Sequence, residues 1–174
     1  MSTPRNLHDL YVEQLKDLYS AEAQLMDALP KMAASATHPE LKSAFTTHLD
    51  QTKRQRDRVE QVLDGLGEKA TGHKCEAMEG IIKEAKSFLK ETDNLFWKDA
   101  PDAVIDAGLI ANAQRAEHYE IAGYGTVCYF AEILGRPQDK ALLGQTLEEE
   151  TQTDELLTKI AKQAVNPEAI MADA

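Results

Sequence analysis

The segment AEILGRPQDKALL, residues 131–143, reverses the direction of the chain within a few positions. Apolar side chains before it recur at helical spacing, and Gly135 followed by Pro137 is the combination that ends one α-helix and begins another. One helix is therefore predicted near 100–134 and the next near 138–165. Because the link between them is so short, the two helices must pack side by side in antiparallel directions.

A second short link, at residues 36–38, predicts a second antiparallel pair in the first half of the chain. Pro39 follows this link at a position where proline suits the first turn of a helix. Apolar residues recur three or four positions apart on both sides of the link. The two helices are predicted near 6–35 and 39–65.

Residues 66–98 form a long crossover between the two pairs, and this crossover carries an amphipathic helix of its own near 75–92. Two antiparallel pairs joined by a long crossover are the ferritin-like arrangement. The sequence therefore predicts an all-α fold, a ferritin-like four-helix bundle with an extra helix in the crossover. A length of 174 residues suits one such domain, predicted to span residues 1–174.

The composition is that of a globular helical protein with a large acidic excess. The 30 acidic and 19 basic residues give a formal net charge of -11, which would repel nucleic acid and anionic lipid. The sequence has neither a secretory signal nor the roughly 20 consecutive apolar residues that cross a bilayer. Its two cysteines, Cys75 and Cys128, lack metal-binding spacing and cannot form a disulfide framework. We therefore expect a cytoplasmic protein that binds neither nucleic acid nor membranes.

Six ionisable residues fall on the apolar faces of the long helices when each helix is projected at about 100° per residue. They are Glu22 on the first helix, His48 on the second, Glu117 and Glu120 on the helix near 100–134, and Glu150 and Asp154 on the last. The middle of so long a bundle excludes water, and an unpaired carboxylate there would cost several kcal/mol. The inward placement of these residues therefore needs a chemical reason.

The spacing of these residues suits a site for two metal ions. Glu117 and Glu120 are three positions apart, and Glu150 and Asp154 are four apart, so each pair projects from one side of its helix. Carboxylates and an imidazole from facing helices are the ligands of di-iron and di-manganese bundles, because oxygen donors can bridge and neutralise two cations. We therefore predict two iron or manganese ions, held by Glu22, His48, Glu117, Glu120, Glu150 and Asp154.

Plainer interpretations of the same residues stay open. A single acid on such a face often lies at the edge, where its carboxylate reaches solvent or an arginine. His48 alone also fits a hydrogen-bonded core histidine. The chain could instead be a metal-free scaffold that acts through the apolar side of helix 75–92 with Phe96 and Trp97. A storage shell is a third hypothesis, although the sequence shows no evident assembly signal.

Five other residues have less specific interpretations. Gly123 and Gly125 would weaken a helix interior, and they indicate either a close helix contact, which is favoured, or a π-bulge. His118 projects away from Glu120 and is interpreted as a boundary or surface residue. Cys128 is interpreted as a small core residue, and Cys75 as an ordinary thiol near a helix start.

Five short motifs, spread over nearly the whole chain, carry a family resemblance. They are YSAEAQL at 19–25, HLDQT at 48–52, CEAMEG at 75–80, AEHYEIAGYGT at 116–126 and LEEET at 147–151. Together they resemble the YciF/YciE family of ferritin-like bacterial stress proteins, and AEHYEIAGYGT is the most specific of them. The resemblance implies a ferritin-like bundle, association as a homodimer and a bound pair of metals, but no particular reaction.

The wider ferritin-like pattern matches some positions and not others. The matching ligands are Glu22 on the first helix, Glu117 and Glu120 as the Glu-x-x-Glu of the third bundle helix, and Glu150 on the last helix. The second helix lacks an inward Glu-x-x-His, since His48 and Gln51 occupy that region, and Thr153 stands where many relatives of the fold carry histidine. Asp154 could substitute one residue later. These departures argue against ferroxidase or oxygenase activity, but not against a metal.

Overall fold

A computed structural model of the protein describes residues 3–88 and 99–172, without the side chain of Ser87. The α-helices in these ranges are α1 (Leu7–Ser35), α2 (Pro39–Gly65), α3 (Glu76–Ala85), α4 (Asp102–Ile133), α5 (Pro137–Ile160) and α6 (Asn166–Met171). A 3₁₀ turn at Lys86–Phe88 extends α3, and a π-helical turn at Ala161–Val165 joins α5 to α6. The described ranges contain no β-strand. None of their helices is both long and apolar enough to cross a membrane.

Local chemistry sets the ends of the long helices. Asn6 caps α1, because its side-chain oxygen accepts a hydrogen bond from the Asp9 amide at 2.8 Å. Pro39 is the first residue of α2, where its missing N–H breaks no helical hydrogen bond. After α4, Gly135 has a φ of 69°, a left-handed conformation that favours glycine and lets the chain turn directly into α5.

The long helices form two hairpins that pack together into a bundle. Helix α1 packs against α2, and α4 packs against α5, as the two short links require. Contacts between α1 and α4 and between α2 and α5 close the bundle, and α3 lies against α1 and α4. The predicted all-α four-helix bundle with an extra helix in the crossover is confirmed.

A polar layer halfway along the bundle divides the buried core into two apolar clusters. One cluster includes Leu25, Phe45, Ala116 and Leu157, and the other includes Leu18, Val59, Tyr124 and Leu143. The buried polar residues between them are Glu22, His48, Thr52, Gln55, Glu117, Glu120, Thr146, Glu150 and Thr153. Each long helix contributes to both clusters, so the polar layer lies far from either end of the bundle.

Two helices end differently from the prediction. The helix predicted near 75–92 is α-helical to Ala85 and continues as a 3₁₀ turn to Phe88, and the rest of it lies outside the described residues. The last helix, predicted to stop before Pro167, instead widens into a π-turn and continues as α6. Because a proline ring clashes with the carbonyl four residues earlier in a regular α-helix, the wider turn allows the helix to pass Pro167.

The apolar side of α3 faces the bundle. Met78 is fully buried, and Ile81 and Ile82 pack against the neighbouring core cluster. The described part of the surface that the scaffold hypothesis requires therefore packs largely against the bundle, with Ile81 and Ile82 partly exposed. Its other predicted members, Phe96 and Trp97, lie outside the described residues.

Helices α1 and α4 approach each other closely at Gly123. A Cβ atom at this position would lie 2.7 Å from Leu18 Cδ2, whereas a Cβ atom at Gly125 would meet nothing within 4 Å. Helix α4 remains α-helical through both glycines. The close-contact interpretation is therefore confirmed for Gly123. Cys128 is 8% exposed within the apolar core, as predicted.

Candidate metal centre

Five of the six predicted ligands meet inside the polar layer. The exposed fraction is 0% for Glu22, Glu120 and Glu150 and 2% for His48 and Glu117. All four long helices contribute, since Glu22 lies on α1, His48 on α2, Glu117 and Glu120 on α4, and Glu150 on α5. Their predicted inward placement is confirmed, and we call these five residues the acidic cluster.

Four members of the acidic cluster are close enough to bind a common ion. His48, Glu117, Glu120 and Glu150 each offer one ligand atom, and these four atoms all lie within 4.8 Å of one another. His48 Nε2 is 3.3 Å from Glu117 Oε1 and 3.7 Å from Glu150 Oε2. An imidazole nitrogen and carboxylate oxygens at such short range are donors that suit iron and manganese.

Seven atoms of the acidic cluster have no hydrogen-bond partner although they are buried. They are Glu22 Oε2, His48 Nε2, Glu117 Oε2 and both carboxylate oxygens of Glu120 and of Glu150. The short contacts of His48 Nε2 are not aligned as hydrogen bonds. Within the described ranges, no lysine or arginine forms a salt bridge with these glutamates. Buried polar atoms nearly always have a partner. This set of unpaired oxygen and nitrogen atoms therefore fits the ligands of bound cations.

Burial raises the pKa of every glutamate in the acidic cluster. The pKa of Glu117 rises to about 7 for this reason, although the neighbouring Glu150 carboxyl opposes the rise. Burial also raises the pKa values of Glu22, Glu120 and Glu150 well above the usual range, and neighbouring glutamates raise them further. Without cations, the folded protein must therefore hold protons here near neutral pH. Metal ions would displace those protons on binding.

Two neutral hydroxyls hold the acidic cluster in place. The Tyr124 hydroxyl donates a hydrogen bond to Glu22 Oε1, which leaves Oε2 of that carboxylate free. Thr153 donates its hydroxyl hydrogen to the Glu149 carbonyl at 3.0 Å, and Thr153 Oγ1 lies 3.4 Å from His48 Nδ1. Since the Thr153 hydrogen is already used, His48 Nδ1 is the donor in the second contact. His48 Nε2 then carries the lone pair and faces Glu117 and Glu150 as a metal ligand would.

The sixth predicted ligand, Asp154, lies outside the acidic cluster. Its Oδ1 accepts a hydrogen bond from Gln114 Nε2 at 2.9 Å and lies 3.5 Å from His118 Nε2. The Asp154 side chain is 19% exposed and that of His118 is 68% exposed, so the pair lies at the edge of the α4–α5 interface. His118 is a surface residue, as predicted. The structure does not bring Asp154 together with the other five.

A family model for a domain of unknown function, DUF892, matches residues 6–170 of the sequence. The chain belongs to the DUF892 family. Protein YciF of Escherichia coli (strain K12) is 42% identical to this DUF892 chain over 166 residues, which are 95% of the chain and 96% of YciF. The resemblance to the YciF/YciE family is confirmed.

Solved structures show the same fold. The crystal structure of the E. coli stress protein YciF matches this DUF892 chain with a TM-score of 0.85 at 42% identity and covers 94% of this chain and 99% of that chain. YcfI of Rhodopseudomonas palustris matches with a TM-score of 0.80 at 39% identity, over 91% of this chain and 98% of that chain.

A more distant match identifies the fold class. A two-domain protein of Anabaena variabilis, with DJ-1/ThiJ/PfpI-like and ferritin-like domains, has a TM-score of 0.59 at 16% identity. This match covers 94% of the DUF892 chain and 39% of that protein, and it bears on the fold alone. The predicted ferritin-like fold is confirmed.

Thr153 is the functional residue that the sequence prediction for this DUF892 chain missed. It entered the prediction only as a departure from the ferritin-like pattern, whereas the structure makes it the partner of His48. Its position three residues after Glu150 was the available signal, because that spacing puts both side chains on one face of α5.

Proposed function

We propose that this chain binds two iron or manganese ions through the acidic cluster and uses them to consume peroxide or oxygen. The observation that carries the proposal is the group of buried cluster atoms without hydrogen-bond partners. Iron or manganese bound there would supply electrons, one from each ion, for the reduction of peroxide to water. The ligands in this proposal are Glu22, His48, Glu117, Glu120 and Glu150.

The charge of the acidic cluster favours two ions over one. Its glutamates carry four negative charges when ionised, and they are at most 2% exposed. Two divalent cations balance these charges, and a neutral His48 adds none. A single divalent cation would leave two negative charges in an interior without water, which is costly unless protons neutralise them.

The surrounding residues orient the ligands and exclude water. Tyr124 holds Glu22 through one carboxylate oxygen, and Thr153 holds His48 through Nδ1. Such supporting hydrogen bonds fix the direction in which a ligand offers its remaining lone pairs. The apolar clusters on both sides of the polar layer keep solvent from replacing the protein ligands.

Asp154 acts from outside the ligand set in this proposal. Its carboxylate is already paired with Gln114 and lies near His118. Its negative charge nevertheless reaches the acidic cluster, since it contributes to the raised pKa of Glu117. Asp154 would therefore strengthen cation binding through its field and not through a bond to the metal.

Metal analysis of protein expressed without an affinity tag tests the proposal. We expect iron or manganese at a stoichiometry approaching two ions per chain. Thermal unfolding of the metal-free protein should shift upward as Fe(II) or Mn(II) is added anaerobically, because ligands that bind only the folded state stabilise it. The reloaded protein should consume peroxide faster than the metal-free protein. A chain that retains no transition metal and is stabilised by neither ion would instead support a metal-free scaffold.

The cellular role and oligomeric state form a second part of the proposal. YciF of E. coli is described as a stress protein, and we extend a stress-associated role in the cytoplasm to this chain. We also propose a homodimer, supported by Tyr129 and Ile133, which are 60% and 55% exposed and lie one turn apart on α4.

Light scattering coupled to a sizing column tests the homodimer. The wild-type chain should elute as a dimer, and Ile133→Glu should shift it toward monomer. Lys31→Glu, a charge change at an exposed position of α1, serves as the surface control and should leave the dimer intact. A wild-type monomer would contradict the homodimer, and a large closed assembly would support the storage shell.

A further inference from the structure

A second polar cluster lies beside the acidic cluster and has no part in the site described above. It joins three separate segments, with Asp17 on α1, His73 and Cys75 in the crossover before α3, and Tyr119 on α4. Cys75 Sγ lies 3.1 Å from the Tyr119 hydroxyl and 3.2 Å from Asp17 Oδ2. The Tyr119 hydroxyl donates to the same Asp17 oxygen. Phenol, thiol and carboxylate therefore share one mutual contact.

This second cluster leads toward the surface through an imidazole. Asp17 Oδ1 lies 2.9 Å from His73 Nε2, and His73 Nδ1 lies 3.4 Å from Glu13 Oε1. The outer members are more exposed than Cys75, which is 0% exposed: the side chains of Asp17 and His73 are 20% and 16% exposed, and that of Glu13 is 28% exposed. A proton released at Tyr119 therefore has a hydrogen-bonded route outward.

Helix capping does not explain the thiol at position 75. Cys75 is the N-cap of α3, but its sulfur is 3.4 Å from the Met78 amide, and serine, threonine, aspartate or asparagine caps a helix better. The Cys75 backbone is already fixed, because its N–H donates to Ser20 Oγ and its carbonyl accepts from Gln24, both at 2.9 Å. A serine would keep each of these contacts. The sulfur packs within the core cluster that includes Leu25, and unlike a hydroxyl it can also give up its hydrogen atom to a radical.

A protonated thiol beside a phenol can react by giving a hydrogen atom to the phenoxyl radical. A phenol ordinarily keeps its hydrogen at neutral pH, and burial raises the pKa of the Cys75 thiol, so the thiol keeps its hydrogen too. A protonated thiol is a poor nucleophile and a poor metal ligand, but it can give up a hydrogen atom. Tyr119 stands next to Glu120 in the chain, and Asp17 precedes Glu22 by about 7 Å of helix. The two clusters are thus carried by neighbouring positions of the same two helices, α1 and α4.

We propose that Tyr119 and Cys75 form a redox pair that supplies one electron to the metal centre after its oxidation by peroxide. This inference rests on the proposed function. Tyr119 gives one electron to the oxidised centre, and its phenolic proton passes to Asp17 Oδ2 and onward through His73. The Tyr119 phenoxyl radical then takes the hydrogen atom of the Cys75 thiol across their 3.1 Å contact. This step restores the phenol and leaves a thiyl radical on Cys75.

The first experiment uses iron-loaded protein. Anaerobic Fe(II)-loaded chain is mixed with hydrogen peroxide and frozen within milliseconds for electron paramagnetic resonance, and a parallel sample is digested to measure oxidised Cys75 by mass spectrometry. We expect a tyrosyl signal and oxidised Cys75 in the wild type. Tyr119→Phe should lose both. Cys75→Ser should prolong the tyrosyl signal severalfold, because a serine hydroxyl does not give up its hydrogen atom to a phenoxyl radical.

Matched controls separate the redox pair from general oxidation. Tyr19→Phe changes a half-buried tyrosine on α1 that packs against the core cluster of Leu18, and Cys128→Ser changes the other buried cysteine, which donates to the Lys140 carbonyl at 3.9 Å. Both variants should behave as the wild type does. A tyrosyl signal that survives Tyr119→Phe, or oxidation of Cys128 equal to that of Cys75, would overturn the proposal. Unfolding curves of each variant confirm that it folds.

The second experiment needs no metal. Azide radicals generated by pulse radiolysis remove single electrons from tyrosines of the metal-free protein. Oxidation should collect on Cys75 in the wild type and should fall severalfold in Tyr119→Phe. Equal oxidation of Cys75 in both proteins would refute the redox pair. If this experiment succeeds while the chain binds no iron, the redox pair is supported and the metal centre of the proposed function is refuted.

Discussion

His48 Nε2 lies 3.3 Å from Glu117 Oε1, and both side chains are almost completely buried. Because Thr153 engages His48 on its Nδ1 side, the lone pair of Nε2 points toward a carboxylate. Two electron-rich atoms at this distance repel each other unless a proton or a cation lies between them. Removing negative charge from the acidic cluster should therefore stabilise the metal-free protein and weaken metal binding.

Replacement of Glu120 by glutamine tests this relationship most directly. Both carboxylate oxygens of Glu120 lack partners, and burial followed by the charges of Glu22 and Glu150 raises its pKa well above the usual value. Holding an ordinary glutamate protonated at pH 7 costs up to about 3 kcal/mol, which the isosteric amide avoids. Glu120→Gln should therefore raise the unfolding free energy of the metal-free protein by up to about that amount. Denaturant unfolding in the presence of a chelator measures it.

The same variant should lose the stabilisation that Fe(II) or Mn(II) gives to the wild type. Glu155→Gln, an exposed acid-to-amide change on α5, is the matched control and should leave both quantities unchanged. Unchanged stabilisation by metal in Glu120→Gln would remove Glu120 from the ligand set.

The metal-free protein should become less stable as pH rises from about 4.5 to 7. Glutamates of the acidic cluster have folded-state pKa values above their ordinary value of 4.5, and that of Glu117 rises to about 7. In this window the folded state binds more protons than the unfolded state. The stabilisation that this proton binding gives is fully present below pH 4.5 and is lost as pH rises through the folded-state pKa. The loss reaches up to about 1.4 kcal/mol per pH unit for each group.

Urea unfolding in chelator across this pH range measures the slope. Glu117→Gln should flatten it, because one of the groups responsible is removed. Metal-loaded protein should show the opposite trend, since ions compete with protons for the same oxygens. A metal-free protein whose stability rises between about pH 5 and pH 7 would contradict the raised pKa values of these glutamates.

Much of this fold follows from local sequence patterns. The helix ends at Asn6 and Gly135 were predictable because a cap and a left-handed glycine depend only on neighbouring residues. The inward placement of Glu22 and Glu120 was predictable because a helix has a fixed period, so a residue inside an apolar stripe faces the core. Each of these predictions needed a single helix and no knowledge of its partners.

The parts that were not predictable depend on contacts between segments. Asp154 falls on the apolar stripe of α5, but its carboxylate lies at the edge of the interface, where it accepts a hydrogen bond from Gln114 on α4. The contact between Cys75 and Tyr119 joins a residue of the crossover to a residue of α4, 44 positions later in the chain. No periodicity within one helix can show which residue of another helix lies opposite. Residues at the edges of stripes and in the crossover were therefore the ones misplaced or missed.

Tyr124→Phe should weaken the metal centre without changing any ligand. The Tyr124 hydroxyl donates to Glu22 Oε1, and both residues are 0% exposed. Without the hydroxyl, the buried Glu22 Oε1 loses this donor, which should destabilise the metal-free protein by about 1 to 3 kcal/mol. Metal affinity should fall by about 10- to 100-fold, as for other supporting residues.

Isothermal titration with Mn(II) measures the metal affinity of Tyr124→Phe, and denaturant unfolding in the presence of a chelator measures the stability of its metal-free form. Tyr19→Phe is the control, because that half-buried tyrosine is not part of the acidic cluster and the loss of its hydroxyl should alter neither quantity. If Tyr124→Phe bound Mn(II) as tightly as the wild type, Tyr124 would not be an orienting residue.

Two glycines two positions apart on α4 should respond to alanine in opposite directions. At Gly123 a new Cβ would lie 2.7 Å from Leu18 Cδ2, and Leu18 is only 2% exposed, so the leucine has little room to move away. Gly123→Ala should therefore destabilise the protein by about 1 to 2 kcal/mol through overpacking between α1 and α4. Gly125 meets nothing within 4 Å, and Gly125→Ala should stabilise the protein by up to about 1 kcal/mol through helix propensity alone. Thermal and denaturant unfolding of the two variants check the sign of each effect. A stabilised Gly123→Ala would contradict the close contact between α1 and α4 at this position.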